Sequence, residues 1–426
     1  MKHLLQKLPK KILTLIKEIG FEAKSRGVVA YLVGGFVRDL ILERENLDLD
    51  IVVEGDGISF AKAFARKKNA DITVYGKFGT ATIVLPSGKN IDFATARKET
   101  YWHSGALPDV EPSVIYDDLF RRDFSINAIA MAINPGQFGK VVDYFNGLRD
   151  IAKKKIRVLH EKSFQDDPTR ILRAIRFEQR LDFQLEKQTE KLLRNSAEQK
   201  VVQNVKPQRY FEEFKKMLKE FHPVKPLRRL NQLNGFQFLG NSFKIRASQF
   251  LLLSAVEKEV AYFAREFSGK RSIDPWIIYF MSIVDVVPAK TLKKILAPFN
   301  LSSVDQARIY SACYADRVIE QLSKTKLKPS AVYEILKPLS IETTIFIKAK
   351  SGKKVIRQRI HRFLSKDSFA SLHLRGDDLK SLGTAPGQPV GAALKKLLAA
   401  RIDGTLKSKQ DEILFIKKLN QSNVRG

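Results

Sequence analysis

The sequence predicts an α+β protein, a mixed-sheet head followed by a remainder that is almost wholly helical. Short apolar runs punctuated by glycine and proline, the mark of strands and tight turns, crowd into the first 150 residues. From about residue 151 apolar residues recur at helical spacing instead, and strand signals almost vanish. The charge changes at the same place. Residues 1–150 carry 21 Lys and Arg against 19 Asp and Glu, a net of +2, whereas residues 151–426 carry 54 against 27, a net of +27.

In the head, Val28–Gly35 reads as a strand ending in a glycine pair, and Phe36–Leu42 has helical spacing after that turn. Leu49–Val53 is a second strand and Ile58–Lys68 a helix; Asp71–Tyr75, Thr80–Leu85 and Asn90–Ala94 are further strands bounded by Gly76, Gly79, Pro86 and Gly88. These runs imply a five-stranded mixed sheet. Residues 100–117, with Gly105, Pro108 and Pro112, read as an exposed loop, and Leu119–Ala132 as a helix leading into a strand. Helices follow over Pro168–Glu178, Lys187–Asn195, Pro207–Phe221, Phe250–Phe267, Pro275–Val284, Ala289–Leu296 and Ser303–Leu322, with the last ones near 390–420.

Composition narrows the function. The chain has 426 residues, enough for two or three domains. Its single cysteine, Cys313, excludes an internal disulfide framework and a cysteine-only zinc site. No run approaches the ~18 apolar residues of a membrane span, and Glu18 and Glu22 interrupt the basic N-terminal segment, so neither a membrane protein nor a signal peptide is expected and a cytoplasmic location is. The +27 remainder calls for an anionic partner, and nucleic acid is the usual one, because Lys and Arg displace counterions from phosphates. A solvated basic surface is the plainer alternative.

The head also carries a candidate site. Glycine at positions 34 and 35 lets the backbone approach a ligand, and the helix start that follows offers free N–H groups to phosphate oxygens. Asp48 and Asp50 flank Leu49, so in a strand both carboxylates face one way and can share a pair of Mg²⁺ ions ~3.5–4 Å apart. Asp92, between apolar residues on a neighbouring strand, reads as a buried acid, rare unless paired or bound to metal, and is the expected third one. Three such acids beyond a Gly-Gly turn point to nucleotidyl transfer; a solvated strand edge is the alternative for each acid alone.

Several motifs now fall into a recognisable order: Gly34-Gly35-Phe36-Val37-Arg38-Asp39, Asp48-Leu49-Asp50, Arg121-Arg122-Asp123-Phe124-Ser125-Ile126-Asn127, Asp143–Asp150 and Asp166-Asp167-Pro168-Thr169-Arg170. Over residues 30–180 the chain resembles the class II tRNA nucleotidyltransferases, the bacterial CCA-adding enzyme and poly(A) polymerase family of the polymerase-β superfamily. Leu374-Arg375-Gly376-Asp377-Asp378-Leu379 resembles that family's tail, while residues 220–365 carry little that matches. The resemblance implies a polymerase-β-like catalytic head (1–150), a helical neck bearing the nucleotide-selecting motif (151–220), and a tRNA-binding body and tail (221–426). It implies Mg²⁺ held by Asp48 and Asp50, with Asp92 as the third catalytic acid. Nucleotide contacts are implied at Gly34, Gly35, Arg38, Arg121, Arg122, Asp123, Asn127, Asp167 and Arg170, and CTP, ATP and the 3′ end of tRNA as partners.

Asp167 and Arg170, three residues apart, share a helix face. The family uses these positions to read the incoming base: an ionised Asp accepts and Arg donates, which suits the amino edges of cytosine and adenine and not the carbonyls of uracil and guanine. Asp167 before Pro168 also fits a plain helix N-cap. Arg38 is expected at the triphosphate or paired with Asp39, Arg97 near the loop or substrate, and Tyr101 and Trp102 stacked on a nucleotide or simply packed. Two positions depart from the family: Asp166 stands where Glu is usual, and Asn146 where Gly is common. The six histidines show no His-Asp pair and no metal-ligand spacing, so the phosphohydrolase domain fused to some relatives is not expected. The segment Arg97–Asp118 has the length of the flexible loop that lets full CCA-adding enzymes switch from CTP to ATP. Full CCA addition is therefore expected. A-adding or CC-adding activity, a poly(A) polymerase and a catalytically inactive tRNA-binding protein remain the alternatives.

Overall fold

A computed structural model describes residues 2–45, 48–240 and 243–424. The chain forms two compact units, one of residues 1–217 and 225–243, the other of residues 218–224 and 244–426. Residues 151–217 thus lie in the same unit as residues 1–150.

The first unit is built on a mixed sheet. Its strands are β1 (Val29–Val33), β2 (Leu49–Glu54), β3 (Asp71–Tyr75), β4 (Thr80–Val84) and β5 (Asn90–Thr95). A separate hairpin follows, β6 (Arg97–Thr100) and β7 (Asp109–Pro112), and then β8 (Ala130–Ala132) and β9 (Val141–Val142). The sheet order is β3-β4-β5-β2-β1-β8-β9, with β2 and β5 parallel and the other pairs antiparallel. The sheet therefore has seven strands rather than five. The two additional strands are only three and two residues long, too short to show an alternation of their own.

Period-2 alternation gives the sheet two different faces. Leu49, Ile51, Val53, Ile91 and Phe93 point to a buried side, covered by α2 (Lys10–Ser25) and α4 (Gly57–Lys68), the latter preceded in the chain by α1 (Lys2–Gln6), α2 and α3 (Gly35–Ile41). Ile12, Leu15, Ile16 and Ile19 of α2 recur at helical spacing and are buried. Phe60 and Phe64 of α4 pack on Phe93, with ring centroids 5.6 and 6.1 Å away. Asp56 caps α4 by accepting from Ser59 N at 2.9 Å, and Asn69 ends it in the left-handed region. On the opposite face Tyr31, Val33, Val52, Ala128, Ala130 and Ala132 join Ile115 and Leu119 of α5 (Ile115–Phe120) in a second core. Leu119–Ala132, expected as a helix leading into a strand, ends in the strand β8, but its helical part is only the end of α5 followed by a turn and a 3₁₀ turn at Ser125–Asn127.

Beyond the sheet come α6 (Gly147–Ala152), α7 (Ser163–Asp166), α8 (Thr169–Leu181), α9 (Lys187–Glu198), α10 (Pro207–Leu218) and α11 (Val224–Gln232). Asn146, at the start of α6, has φ 58° and ψ 32°. A glycine is common there for that left-handed geometry, and Asn is the side chain that tolerates it best. The second unit is helical throughout its described residues. Pro275–Val284 is buried along almost its whole length, and Glu259 accepts from Lys348 and Arg357 at 2.7 and 2.6 Å. The single helix expected over Ser303–Leu322 is broken into Ser303–Tyr310 and Ala315–Leu322 by a 3₁₀ turn. Among the described residues no helix is long and apolar enough to cross a membrane.

Candidate active site

Gly34, Gly35, Arg38, Asp48, Asp50, Arg121, Arg122, Asp123, Asn127, Asp167 and Arg170 all line one cavity of about 1130 Å³ in the first unit. Further lining comes from α8 and α10, among it Arg173 and Arg209. Of the metal- and nucleotide-binding residues that the resemblance implies, only Asp92 lies outside it, and neither Arg97 nor Trp102 lines it. Asp92 lines an adjoining cavity of about 270 Å³ that shares Asp50, Arg121 and Arg122 with the first.

Strand pairing brings the acids together. Asp50 and Asp92 are partners across the parallel β2–β5 pair, and Asp48 lies on the same side, one residue before β2 begins. The expectation of a buried Asp92 is corrected: it is exposed, because its apolar neighbours Ile91 and Phe93 point to the other face, and its Oδ1 accepts from Thr82 at 2.5 Å. The Asp50 carboxyl is pushed up to about 6, first by burial and then by Asp92 and Asp48, with Arg122 opposing. Among the described residues no group of three or more His, Cys, Asp and Glu is gathered tightly enough to hold an ion alone. Hard carboxylate oxygens on one strand face still suit Mg²⁺, which takes one or two carboxylates and completes its shell with water and substrate phosphates.

Gly34 closes β1 with φ 67° and ψ −133°, a conformation that only glycine adopts readily. A Cβ there would lie 2.8 Å from an Arg122 guanidinium nitrogen and 3.8 Å from Asp50 Oδ2. The turn thus lets backbone, cation and carboxylate meet at one point.

The arginines are held by acids that sequence reading missed. Asp118, fully buried, accepts from Arg121 at 2.6 Å and from Arg122 at 2.9 Å. Burial pushes its carboxyl up, but Arg122 and Arg121 outweigh it and hold it below the usual range. Arg121 also reaches Glu99 at 3.1 Å, which in turn takes Arg97 at 2.8 Å and the Tyr101 hydroxyl at 2.8 Å. Arg97 is therefore occupied by Glu99 and the Phe78 carbonyl. Tyr101 lines the cavity, while Trp102 is 77% exposed and donates to Asp109 at 2.6 Å. Among the described residues Arg122 Nε is buried without a hydrogen-bond partner. The spacing Asp118-x-x-Arg121-Arg122 was the available signal, since residues three and four apart meet on a helix.

Arg38, in the cavity lining, grips Asp39 at 2.8 Å, donates to Asn127 at 2.6 Å, and sits 5.1 Å from the Phe177 ring centroid. Arg173 and Arg176 flank the same ring at 5.5 and 4.9 Å. Asp123 accepts from Asn127 at 2.9 Å and from Arg173 at 2.6 Å. Burial pushes its carboxyl up, but Arg173 and Asn127 outweigh that and hold it at about 2.

At the head of α8 both readings of Asp167 have substance. Its Oδ1 accepts from Thr169 N at 3.1 Å and Thr169 Oγ1 at 2.7 Å, as a cap does, yet the side chain lines the cavity. Arg170 donates to Ser163 Oγ and to the Arg121 carbonyl, each at 2.7 Å, so its partners are α7 and the Arg-Arg segment. Asp166 instead ends α7, 3.9 Å from His160, a His–Asp proximity that sequence spacing did not show.

Comparison with known proteins agrees with this assembly. Residues 30–157 match the poly A polymerase head domain, and residues 182–240 match a region described as the probable RNA and SrmB-binding site of polymerase A. The chain is 33% identical over 99% of its length to an A-adding tRNA nucleotidyltransferase of Geobacter sulfurreducens, and 35% identical over 83% to one of Aquifex aeolicus. It spans only 48% and 43% of those two relatives, about half their length. Against an A-adding tRNA nucleotidyltransferase of Halalkalibacterium halodurans it is 31% identical, over 95% of this chain and 92% of that one. Among solved structures, CCA-adding enzymes complexed with ATP and with CTP superpose with TM-scores of 0.77 and 0.76 at 30% and 32% identity, covering 98% and 99% of this chain and 97% and 98% of theirs. The Thermotoga maritima CCA-adding enzyme complexed with tRNA gives 0.75 at 31%, covering 98% of each. With the strand-borne acids, the glycine turn and the paired arginines in one cavity, and with near-full-length similarity on both counts, the chain belongs to the tRNA nucleotidyltransferase family.

Proposed function

We propose that this chain adds CMP and AMP from CTP and ATP to the 3′ end of tRNA, without a nucleic-acid template. The observation that carries the reading is the convergence on one cavity of Asp48 and Asp50, the Gly34 turn, Arg122 and the Asp167/Arg170 pair. Asp48 and Asp50 would hold Mg²⁺, which activates the attacking 3′ hydroxyl and stabilises the departing pyrophosphate. Asp92, beside Asp50, completes the acid set from the adjoining cavity. Gly34 and Gly35 bring backbone close to the triphosphate at the start of α3, and the spare Nε–H of Arg122 suits an anionic oxygen. Asp123 and Asn127, locked together at 2.9 Å, present a rigid polar wall to the ribose. Asp167 accepts from the base amino group and Arg170 donates to its ring acceptor. The +27 of residues 151–426 supplies the long-range attraction for tRNA.

Two readings of product length stand. The intact hairpin between β6 and β7 supports full CCA addition chiefly by arguing against a CC-only enzyme, since an A-adding enzyme could keep the same loop. The A-adding relatives matched across most of this chain favour addition of the terminal A alone. Three tRNA substrates, ending before CCA, in C and in CC, decide between them when CTP and ATP are supplied together. Extension of all three to CCA supports the first reading; extension of the CC-ending tRNA only supports the second. No extension of any of them rejects the proposal, and long oligo(A) on unrelated RNA points to a poly(A) polymerase.

A further inference from the structure

Near Asp48 and Asp50 lies a cation that takes no part in the hydrogen bonding of the site. Lys89 Nζ is buried, and among the described residues it has no hydrogen-bond partner. Lys89 closes the turn between β4 and β5, its carbonyl accepting from Leu85 N at 2.9 Å across Gly88, whose φ is 78°. β5 starts at the next residue, and the parallel pairing of Leu49 with Ile91 sets Lys89 at the same end of the sheet as Asp48. Asp48 lines the large cavity, whereas Lys89 lines neither that cavity nor the adjoining one, so the lysine meets the acid from outside. Burial draws the ammonium below its usual range, and the charge of Asp48 opposes that. A cation buried without a hydrogen bond is costly, and a nearby carboxylate is what offsets the cost. Arg122 stands in the same relation to Asp50, whose carboxyl is crowded by Asp92 and Asp48.

We infer that Lys89 is a positioning residue: a built-in countercharge to Asp48 that disfavours a divalent cation arriving alone and favours one arriving with a triphosphate. The inference rests on the reading of Asp48 and Asp50 as the metal-binding pair. A fixed positive charge repels a free dication, yet it attracts the complex of that dication with a nucleoside triphosphate, which is anionic overall. The two effects have opposite signs and the same source. If Lys89 only packed its stem beneath the turn, an apolar side chain of similar length would change the melting temperature and leave both affinities alone.

The experiment compares the wild-type chain with Lys89→Met, which keeps the stem and removes the charge, and Lys89→Arg, which keeps the charge. Asp50→Asn measures cation bound outside the site. Free Mn²⁺ is titrated without nucleotide and followed by the loss of its paramagnetic resonance signal in solution. The Mg²⁺–ATP complex is titrated calorimetrically, and thermal melting is recorded beside both. Lys89→Met is expected to bind Mn²⁺ about three- to ten-fold more tightly and Mg²⁺–ATP about three- to ten-fold more weakly, the scale of one unit charge acting over several ångströms at high effective dielectric. Lys89→Arg stays close to wild type in both. Opposite shifts mark a charge effect, because a distorted site weakens both ligands together. Unchanged Mn²⁺ affinity in Lys89→Met overturns the inference, as does a shift of both affinities in one direction. Should Lys89→Met fold poorly, Lys89→Gln, also neutral, is read in the same way. A wild-type chain that binds no more Mn²⁺ than Asp50→Asn rejects the metal-binding pair and this inference with it. A wild type that exceeds Asp50→Asn, with Lys89→Met equal to wild type, rejects this inference alone.

Discussion

Replacing Gly34 by alanine tests how the site is held together, because two separable effects meet at that Cβ. The first is backbone strain. At φ 67° and ψ −133° an alanine is forced into a region nearly reserved for glycine, at a cost of about 1–3 kcal/mol. In a unit of this size that lowers the melting temperature by about 2–10 °C. The second is contact. The new methyl would stand 2.8 Å from an Arg122 nitrogen, well inside van der Waals distance, so the guanidinium must shift. Arg122 is tethered to Asp118 at 2.9 Å and lies beside Asp50, and a misplacement of about 1 Å in such a group costs on the order of 10²-fold in rate. Gly27→Ala gives a positive-φ comparison without the contact, since Gly27 also has φ 67° and has nothing within 4 Å of its Cβ position. Thermal melting and single-turnover tRNA extension are measured on both variants. Both should lose stability, and only Gly34→Ala should lose about 10²-fold in extension rate. A Gly34→Ala protein that extends tRNA within three-fold of wild type would refute the reasoning, because the steric link from turn to Arg122 would then carry no catalytic consequence.

Three further outcomes are expected. Asp48→Ala or Asp50→Ala abolishes extension while tRNA binding, measured on filters, stays near wild type, because the acids serve chemistry and the basic helices serve phosphate contact; wild-type extension by the Asp50 variant in Mg²⁺ contradicts this. Asp167→Ala and Arg170→Ala both relax base choice, but Arg170→Ala also destabilises by about 1–3 kcal/mol, since it strips buried Ser163 and the Arg121 carbonyl of their donor; equal melting temperatures in the two variants would count against that difference. Asp123 contributes acid-sensitive stability. Its folded pKa is depressed from 3.8 to about 2, so its contribution is fully present above about pH 4 and is lost as pH falls toward 2, amounting to about 2 kcal/mol. Asp123→Asn should flatten melting temperature against pH across that window, and an unchanged acid limb would rule the contribution out.

Much of the site was legible because its parts are local. Asp48 and Asp50 face one way because strand geometry alternates, and that follows from their spacing alone. Gly34 announced its unusual backbone by its place between an apolar strand and a helix. Arg121, Arg122 and Asp123 stood out through the Arg-Arg-Asp motif that carries the family resemblance. The same locality explains the misreadings. Asp92 was expected to be buried because its neighbours along the chain are apolar, yet in a strand those neighbours turn the opposite way. β9 escaped notice because a strand of two residues carries no pattern of its own and exists by pairing with β8. Residues 100–117 read as a loop because Gly105 and Pro108 mask a hairpin whose arms are only four residues each.

The sequence by itself determined the division into a sheet-bearing head and a helical remainder, the near-neutral and strongly basic halves, and the shared strand face of Asp48 and Asp50. These follow from periodicity, composition and short-range spacing, which are properties of neighbouring residues. Only the tertiary structure decided that Asp50 pairs with Asp92 across β2 and β5, that Asp118 and Glu99 brace Arg121, and that Asp123 is gripped by Arg173 fifty residues away. It alone brought Arg209 between Gly105 and Asp167. Such contacts join residues whose separation along the chain says nothing about their distance in space. They form because burying the sheet face and the helix stripes leaves few ways to satisfy the charges trapped beside them, and each buried charge must find a partner wherever the fold has placed one.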